Sequence, residues 1–194
     1  MVQPASETAP AHVSPEDYLR LERQAQEKHE YFAGEVRAMA GAGYAHNLIC
    51  ANLTIEIGSQ LRGKSCTVVG SDQRLQILSG SAYVYPDLTV VCGKPEFNEQ
   101  KDLDTLLNPT LLVEVLSPST ANHDRGEKFM FYRQISSLHQ YLILASQAVH
   151  AELYSRDELG RWVLTETRDM NIVLDLSSIG CQVPLSAVYA SVTF

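Results

Sequence analysis

The sequence predicts a mixed α/β (α+β) fold, a mixed sheet flanked by helices, and three observations carry that prediction. Apolar residues recur at helical spacing through Leu48, Ile49, Leu53, Ile57 and Leu61. Three β-rich segments follow with no helical pattern between them: CTVVG leading into DQRLQIL, then YVYPDLTVVC, then TLLVEVLS. A helix-opening pattern, Asp124-Arg125-Gly126-Glu127, then precedes another β-rich run, HQYLILAS. The order helix, three strands, helix, strand places helices against a mixed sheet.

Each element has a local reason. Residues 1–13 mix Pro, Ala, Ser and Thr without apolar periodicity and read as a loose tail, so residues 14–194 are expected to form one domain. Ser14-Pro15-Glu16-Asp17 supplies a capping hydroxyl, a proline where no helix N–H is needed, and acids at the positive end of the dipole. That pattern predicts a helix to about residue 28. EYFAGEVRAMAGAG reads as a hairpin turning at Ala33-Gly34, and the periodic segment as a helix over about 45–61. A charged, turn-rich insertion, GKPEFNEQKDLDTLLNP, precedes the third β-rich segment, and a third helix is expected over about 124–135. HQYLILAS, HAELYSR and RWVLTET read as further strands, and the C-terminal LSSIGCQVPLSAVYASV as a strand and a short helix.

At 194 residues, 45% hydrophobic and 20% charged, the chain has the composition of an ordinary globular domain. A net charge of −8 and a pI near 5.2 exclude a global electrostatic attraction to nucleic acid or anionic membrane, though not a local basic face. No stretch approaches the ~18 consecutive apolar residues that span a bilayer, and the start lacks a signal-peptide pattern, which points to a cytoplasmic protein. Cys50, Cys66, Cys92 and Cys181 form no CxxC and are expected to be buried and reduced. The glycosylation-type triplet Asn52-Leu53-Thr54 falls in a predicted helix and is discounted.

Gly58-Ser59-Gln60-Leu61-Arg62-Gly63-Lys64-Ser65 matches the P-loop pattern GxxxxGK[ST], but a phosphate cradle needs a strand before it and a helix after it. Here a helical pattern precedes and the β-branched Cys66-Thr67-Val68-Val69 follows, so a nucleotidase reading ranks last. No GxSxG occurs to support a nucleophile-elbow hydrolase.

The carboxylates are more informative. Glu114 stands within the apolar run Leu111-Leu112-Val113-Glu114-Val115-Leu116, where an unpaired charge costs several kcal/mol. Asp87 opens a second β-rich run, and on neighbouring strands the two acids would converge and repel unless a cation lay between them. Mg²⁺, which prefers hard oxygen ligands, would suit that position. Lys128 lies four residues after Asp124 and four before Tyr132, so all three share one helix face from which the amine could position or deprotonate a water or stabilise developing negative charge. An ion pair of Glu114 or Asp87 with Lys128, Arg125 or Arg74 explains the same residues equally well. His46 and His123 are weaker candidates, lone histidines near helix starts.

YPDLTVV, LLVEVLSPST, HDRGEKFMFY and SLHQYLIL, in this order and separation, resemble the Uma-two-type endonucleases, a branch of the restriction-endonuclease-like PD-(D/E)XK superfamily. The similarity runs from about Ser14 to Trp162. It implies a restriction-endonuclease-like core and a Mg²⁺- or Mn²⁺-dependent endonuclease hydrolysing DNA phosphodiesters. In that frame Asp87 and Glu114 correspond to the metal-binding acids, and the Val115 carbonyl to a further ligand. The usual (D/E)xK lysine would fall at position 116, where this chain has Leu116, which makes Lys128 the candidate lysine. Glu35, His46, Asp72 and Arg74 resemble recurring family positions and rank second, as site supports or substrate contacts, with Arg125 or Arg74 expected on phosphate. Enzymes of this kind often work as homodimers, in which a basic cleft can form between subunits. The alternative is a catalytically inactive homodimeric DNA-binding or interaction module of the same fold.

Overall fold

The computed structural model describes residues 12–98, 104–116 and 124–194. Most of the N-terminal tail, part of the charged insertion, and the Ser117–Thr120 block with His123 lie outside the described residues. Three sheets order the chain. The largest has six strands, in the spatial order Trp162–Thr167 (β11), Ala151–Arg156 (β10), Gln140–Ala145 (β9), Leu111–Leu116 (β8), Leu88–Cys92 (β6) and Cys66–Gly70 (β3). Only the β8–β9 pair is parallel, so the sheet is mixed as expected. The second sheet runs Glu35–Ala38 (β2), His29–Phe32 (β1), Ala82–Val84 (β5), Arg74–Ile77 (β4) and Thr105–Leu106 (β7). Val173–Leu176 (β12) and Cys181–Pro184 (β13) form a separate hairpin.

The helices are Pro15–Glu22 (α1), Tyr44–Leu61 (α2), Phe129–Tyr132 (α3) and Leu185–Val188 (α4). Strand β8 is covered on both faces, and its alternation sorts its side chains between two cores. Leu111, Val113 and Val115 join α2, α4 and the β12–β13 hairpin, while Leu112 and Leu116 join Tyr132 of α3 and the second sheet. Ile49, Leu53, Ile57 and Leu61 of α2 are fully or almost fully buried in the first core, each worth about 1.5–3 kcal/mol. On the outer face of the second sheet, Tyr18 and Leu19 of α1 pack with Tyr31 and Tyr83.

Several elements follow their local signals. Ser14 Oγ accepts from the Asp17 N–H and caps α1. The hairpin turns at Ala33-Gly34 with φ of 46° and 102°, the paired positive angles of a tight hairpin turn. Helix α2 agrees with its periodicity to within one residue. The P-loop look-alike is the end of α2 and the turn into β3, with Lys64 Nζ donating to the Gly180 carbonyl. The Asn52 amide donates to the carbonyls of Val188 and Ala190, clasping α2 to the C-terminal segment.

Other expectations need correction. Helix α1 ends at Glu22, not near residue 28, because Tyr18 and Leu19 are its only buried residues and the Glu22 carboxylate accepts from the His29 N–H, folding the chain into β1. CTVVG and RLQI, read as one strand segment leading into the next, belong to different sheets, separated by the turn at Ser71-Asp72-Gln73. The helix expected over 124–135 is a wide π turn, Asp124–Lys128, followed by the single turn of α3. Strand β12 was not expected at all. Cys66 and Cys92, directly opposed on β3 and β6, form a disulfide, so the expectation of four reduced cysteines fails; residues distant in sequence became cross-strand neighbours. Cys50 and Cys181 remain free thiols. Among the described residues no helix is long and apolar enough to cross a membrane.

Candidate active site

A cleft of about 850 Å³ opens where α2, the second sheet and the ends of β6 and β8 meet. Glu114 reaches its edge from the middle of β8, on the face that packs against α3. Its Oε1 accepts from Lys128 Nζ at 3.0 Å and from the Tyr132 hydroxyl at 2.7 Å, so the helix face predicted to carry Lys128 and Tyr132 does meet the buried acid. Asp87, in the loop entering β6, accepts from the Val115 N–H at 2.8 Å through Oδ2. The same oxygen lies 3.1 Å from His46 Nε2 on the first turn of α2. One hydrogen bond thus ties the Asp87 loop to the strand that bears Glu114.

Two acids not singled out from the sequence complete the cluster. Glu30, on β1, places Oε1 at 2.9 Å from Lys128 Nζ, and Asp124 places Oδ1 at 3.4 Å from it. Asp124, the capping residue that the sequence sets on one face with Lys128 and Tyr132, is buried. The signal for Glu30 is the one that drew attention to Glu114, an acid beside large apolar residues, here Tyr31 and Phe32. Val115 also lines the cleft.

The charges do not balance. Glu30, Glu114 and Asp124 gather around the buried amine of Lys128, and Asp87 stands beside them paired with His46. Burial, opposed by Lys128 and reinforced by Asp87, Asp124 and Glu30, raises the Glu114 carboxyl to about 8. Burial works against the Lys128 charge, but Glu114, Glu30 and Asp124 outweigh it and hold the amine above the ordinary lysine value. An amine so held donates hydrogen bonds and does not take up protons. Burial likewise disfavours a charged His46, yet Asp87 prevails and raises it, while burial and then the charges of Asp87 and Glu114 push the Cys50 thiol up.

Apart from His46, the second-rank residues are dispersed. Glu35 is exposed on β2 and bonds Arg37 at 3.0 and 2.8 Å; Arg37 also meets Glu127 at 2.8 Å and lines the cleft. Asp72 is exposed and pairs with Lys28, another cleft residue, at 3.0 Å. Arg74, expected on phosphate, is buried in the second sheet against Asp104, Thr105 and Tyr85, with Asp104 at 2.6 Å. Arg125 bonds Glu152 of β10 at 2.6 Å, and neither arginine lines the cleft. Both are drawn away by carboxylates remote in sequence.

A family model described as "Putative restriction endonuclease", Uma2, matches residues 15–186. The chain belongs to the Uma2 family. Two relatives from Synechocystis sp. PCC 6803, the uncharacterized proteins slr1290 and sll1609, are each 35% identical to it. The first alignment covers 94% of both chains; the second covers 83% of this chain and 90% of the relative. The crystal structure of a "putative nuclease" from Anabaena variabilis superposes with a TM-score of 0.77 over 93% of this chain and 99% of that one. At 13% identity that likeness shows the fold, which is therefore the one expected for the Uma2 chain.

Proposed function

We propose that this protein is a metal-dependent endonuclease hydrolysing DNA phosphodiester bonds, with Asp87 and Glu114 holding Mg²⁺ or Mn²⁺ in the cleft. The observation that carries the proposal is the cluster of carboxylates: three buried acids share the buried amine of Lys128, and Asp87, paired with His46, stands beside them in a cleft open to ligands. The donor set fits a hard cation, since both carboxylates line the cleft and the hydrogen bonds they accept from the described residues fall on Glu114 Oε1 and Asp87 Oδ2, leaving one oxygen of each for an ion. Bound there, the ion would polarise the scissile phosphate and ease deprotonation of a water. Family membership and the nuclease-type description of the family agree with this reading.

The chain's own residues divide the remaining work. Lys128, kept protonated by its carboxylate neighbours, orients Glu114 and opposes negative charge building on the phosphate, which narrows its role to an electrostatic one. Tyr132 fixes the Glu114 rotamer by donating to Oε1. At the rim, Lys28 and Arg37 supply cations, with exposed Asp72 and Glu35 holding them in place; these take over the phosphate contacts expected of Arg74 and Arg125. The cations are local, which accommodates the chain's net acidity. A homodimer would supply more of them.

A catalytically inactive, homodimeric DNA-binding or interaction module of the same fold is the second reading, favoured by the Lys128–Glu114 bond, which satisfies Glu114 without a metal. Calorimetric titration of Mg²⁺ or Mn²⁺ into the wild type and Glu114→Gln, with plasmid nicking in parallel, separates the two. Binding and nicking both lost in the variant support the nuclease. No binding in either protein refutes it.

A further inference from the structure

The inner end of α2 carries donors that a purely oxygen-ligated site does not need. His46 and Cys50 stand one turn apart on the same helix face, with His46 Nδ1 at 3.7 Å from Cys50 Sγ and Nε2 at 3.1 Å from Asp87 Oδ2. One ligand atom from each of His46, Cys50 and Asp87 lies within 4.8 Å of the others. In a tetrahedral zinc site, metal–ligand bonds of about 2.0–2.3 Å set neighbouring ligand atoms about 3.3–3.8 Å apart, so these three need only close by roughly an ångström. His46 and Asp87 line the cleft, and Cys50 is half-buried beside them, so an ion entering from the cleft can reach all three.

We infer that His46, Cys50 and Asp87 form a second metal position, selective for a borderline-soft divalent cation of the Zn²⁺ class and sharing Asp87 with the oxygen-ligated ion proposed above. Thiolate and imidazole donors favour Zn²⁺ and Co²⁺ over Mg²⁺, while one carboxylate keeps the set mixed. Three protein ligands leave a fourth position open on the cleft side, the arrangement of a site that takes water or a phosphate oxygen. The inference rests on the proposed function only through Asp87. His46 and Cys50 belong to it alone.

Co²⁺ added to the metal-free full-length protein is the direct probe, because thiolate ligation produces an intense near-ultraviolet charge-transfer band that oxygen and nitrogen ligands do not. The band is expected in the wild type and in Cys181→Ser, and absent in Cys50→Ser. Competition calorimetry is expected to show Zn²⁺ affinity reduced at least tenfold in both Cys50→Ser and His46→Asn. Mg²⁺ affinity in Cys50→Ser should stay within threefold of wild type. Absence of the band in the wild type, or its persistence in Cys50→Ser, overturns the inference. The two proposals fail separately: Mg²⁺ binding and nicking can be absent while the Cys50-dependent band remains, and the reverse pattern removes the zinc-class site alone.

Discussion

Replacing Lys128 by Met removes the one amine from a buried cluster of carboxylates while keeping most of the side chain's volume. Its Nζ lies 2.9 Å from Glu30, 3.0 Å from Glu114 and 3.4 Å from Asp124, and all four side chains are at least nine-tenths buried. Removing one partner of a buried ion pair costs about 3–5 kcal/mol, and here one deletion strands three acids. Proton uptake by Glu114, whose carboxyl already sits near 8, absorbs part of that cost, so the loss should fall within this range and not at three times it. For a chain of this size each kcal/mol moves the melting temperature by about 2–4 °C, giving a fall of roughly 6–20 °C. Chemical and thermal unfolding of metal-free protein at pH 7.5 measure it. Saturating Mg²⁺ should restore part of the loss, since a ligand at a hundred times its Kd adds about 2.7 kcal/mol to the folded state. A Lys128→Met protein as stable as wild type without metal would refute the charge-imbalance argument at its root.

Three further outcomes follow from the same structure. Folded Glu114 holds its proton to about pH 8 whereas an unfolded glutamate releases it near 4.5, so the folded state binds more protons between those values. Metal-free stability should therefore fall from about pH 4.5 to pH 8 and flatten above, and Glu114→Gln should lose this component in denaturant melts across that range. Arg74→Met should destabilise by about 2–3 kcal/mol through loss of its bonds to Asp104, Thr105 and Tyr85, and leave Mg²⁺ affinity unchanged by calorimetry; weakened metal binding would contradict its placement outside the cleft. Thiol titration of denatured, unreduced protein should count two free cysteines, and reduction should cost about 3.5 kcal/mol for a cross-link spanning 26 positions. Four free thiols would remove the Cys66–Cys92 bond.

The sequence disclosed the parts of the site whose chemistry is anomalous for their local pattern. Glu114 announced itself by interrupting an apolar strand, and the spacing of Asp124, Lys128 and Tyr132 put the amine and hydroxyl on the face that meets it. Glu30 was hidden because an acid next to a hairpin usually faces water, and only the packing of the second sheet on β8 turns it inward. Arg74 misled for the opposite reason: its partner Asp104, half-buried, is remote in sequence, so the strand arginine looked available for a ligand. The division of the β-rich segments between two sheets was equally hidden, since alternating burial is the same whichever sheet a strand joins. Strand β12 was masked by its exposed residues, Val173 among them, which dilute the apolar pattern.

The π turn at Asp124–Lys128 gives the site an unusual tolerance of one lost residue. A wide turn carries one residue more than the α-helix that would otherwise fill the same gap, and each residue of an α-helix turns the chain through about 100°. Deleting Gly126, where a side chain would meet open space, would let an ordinary helical turn fill the same gap and leave Lys128 and α3 in register with Glu114, whereas a residue deleted within α3 would turn those after it by about that angle. The place of Lys128 on a turn and helix, apart from the strand position filled by Leu116, thus uncouples its register from that of β8, so that a residue gained or lost in the turn leaves every strand of the sheet untouched.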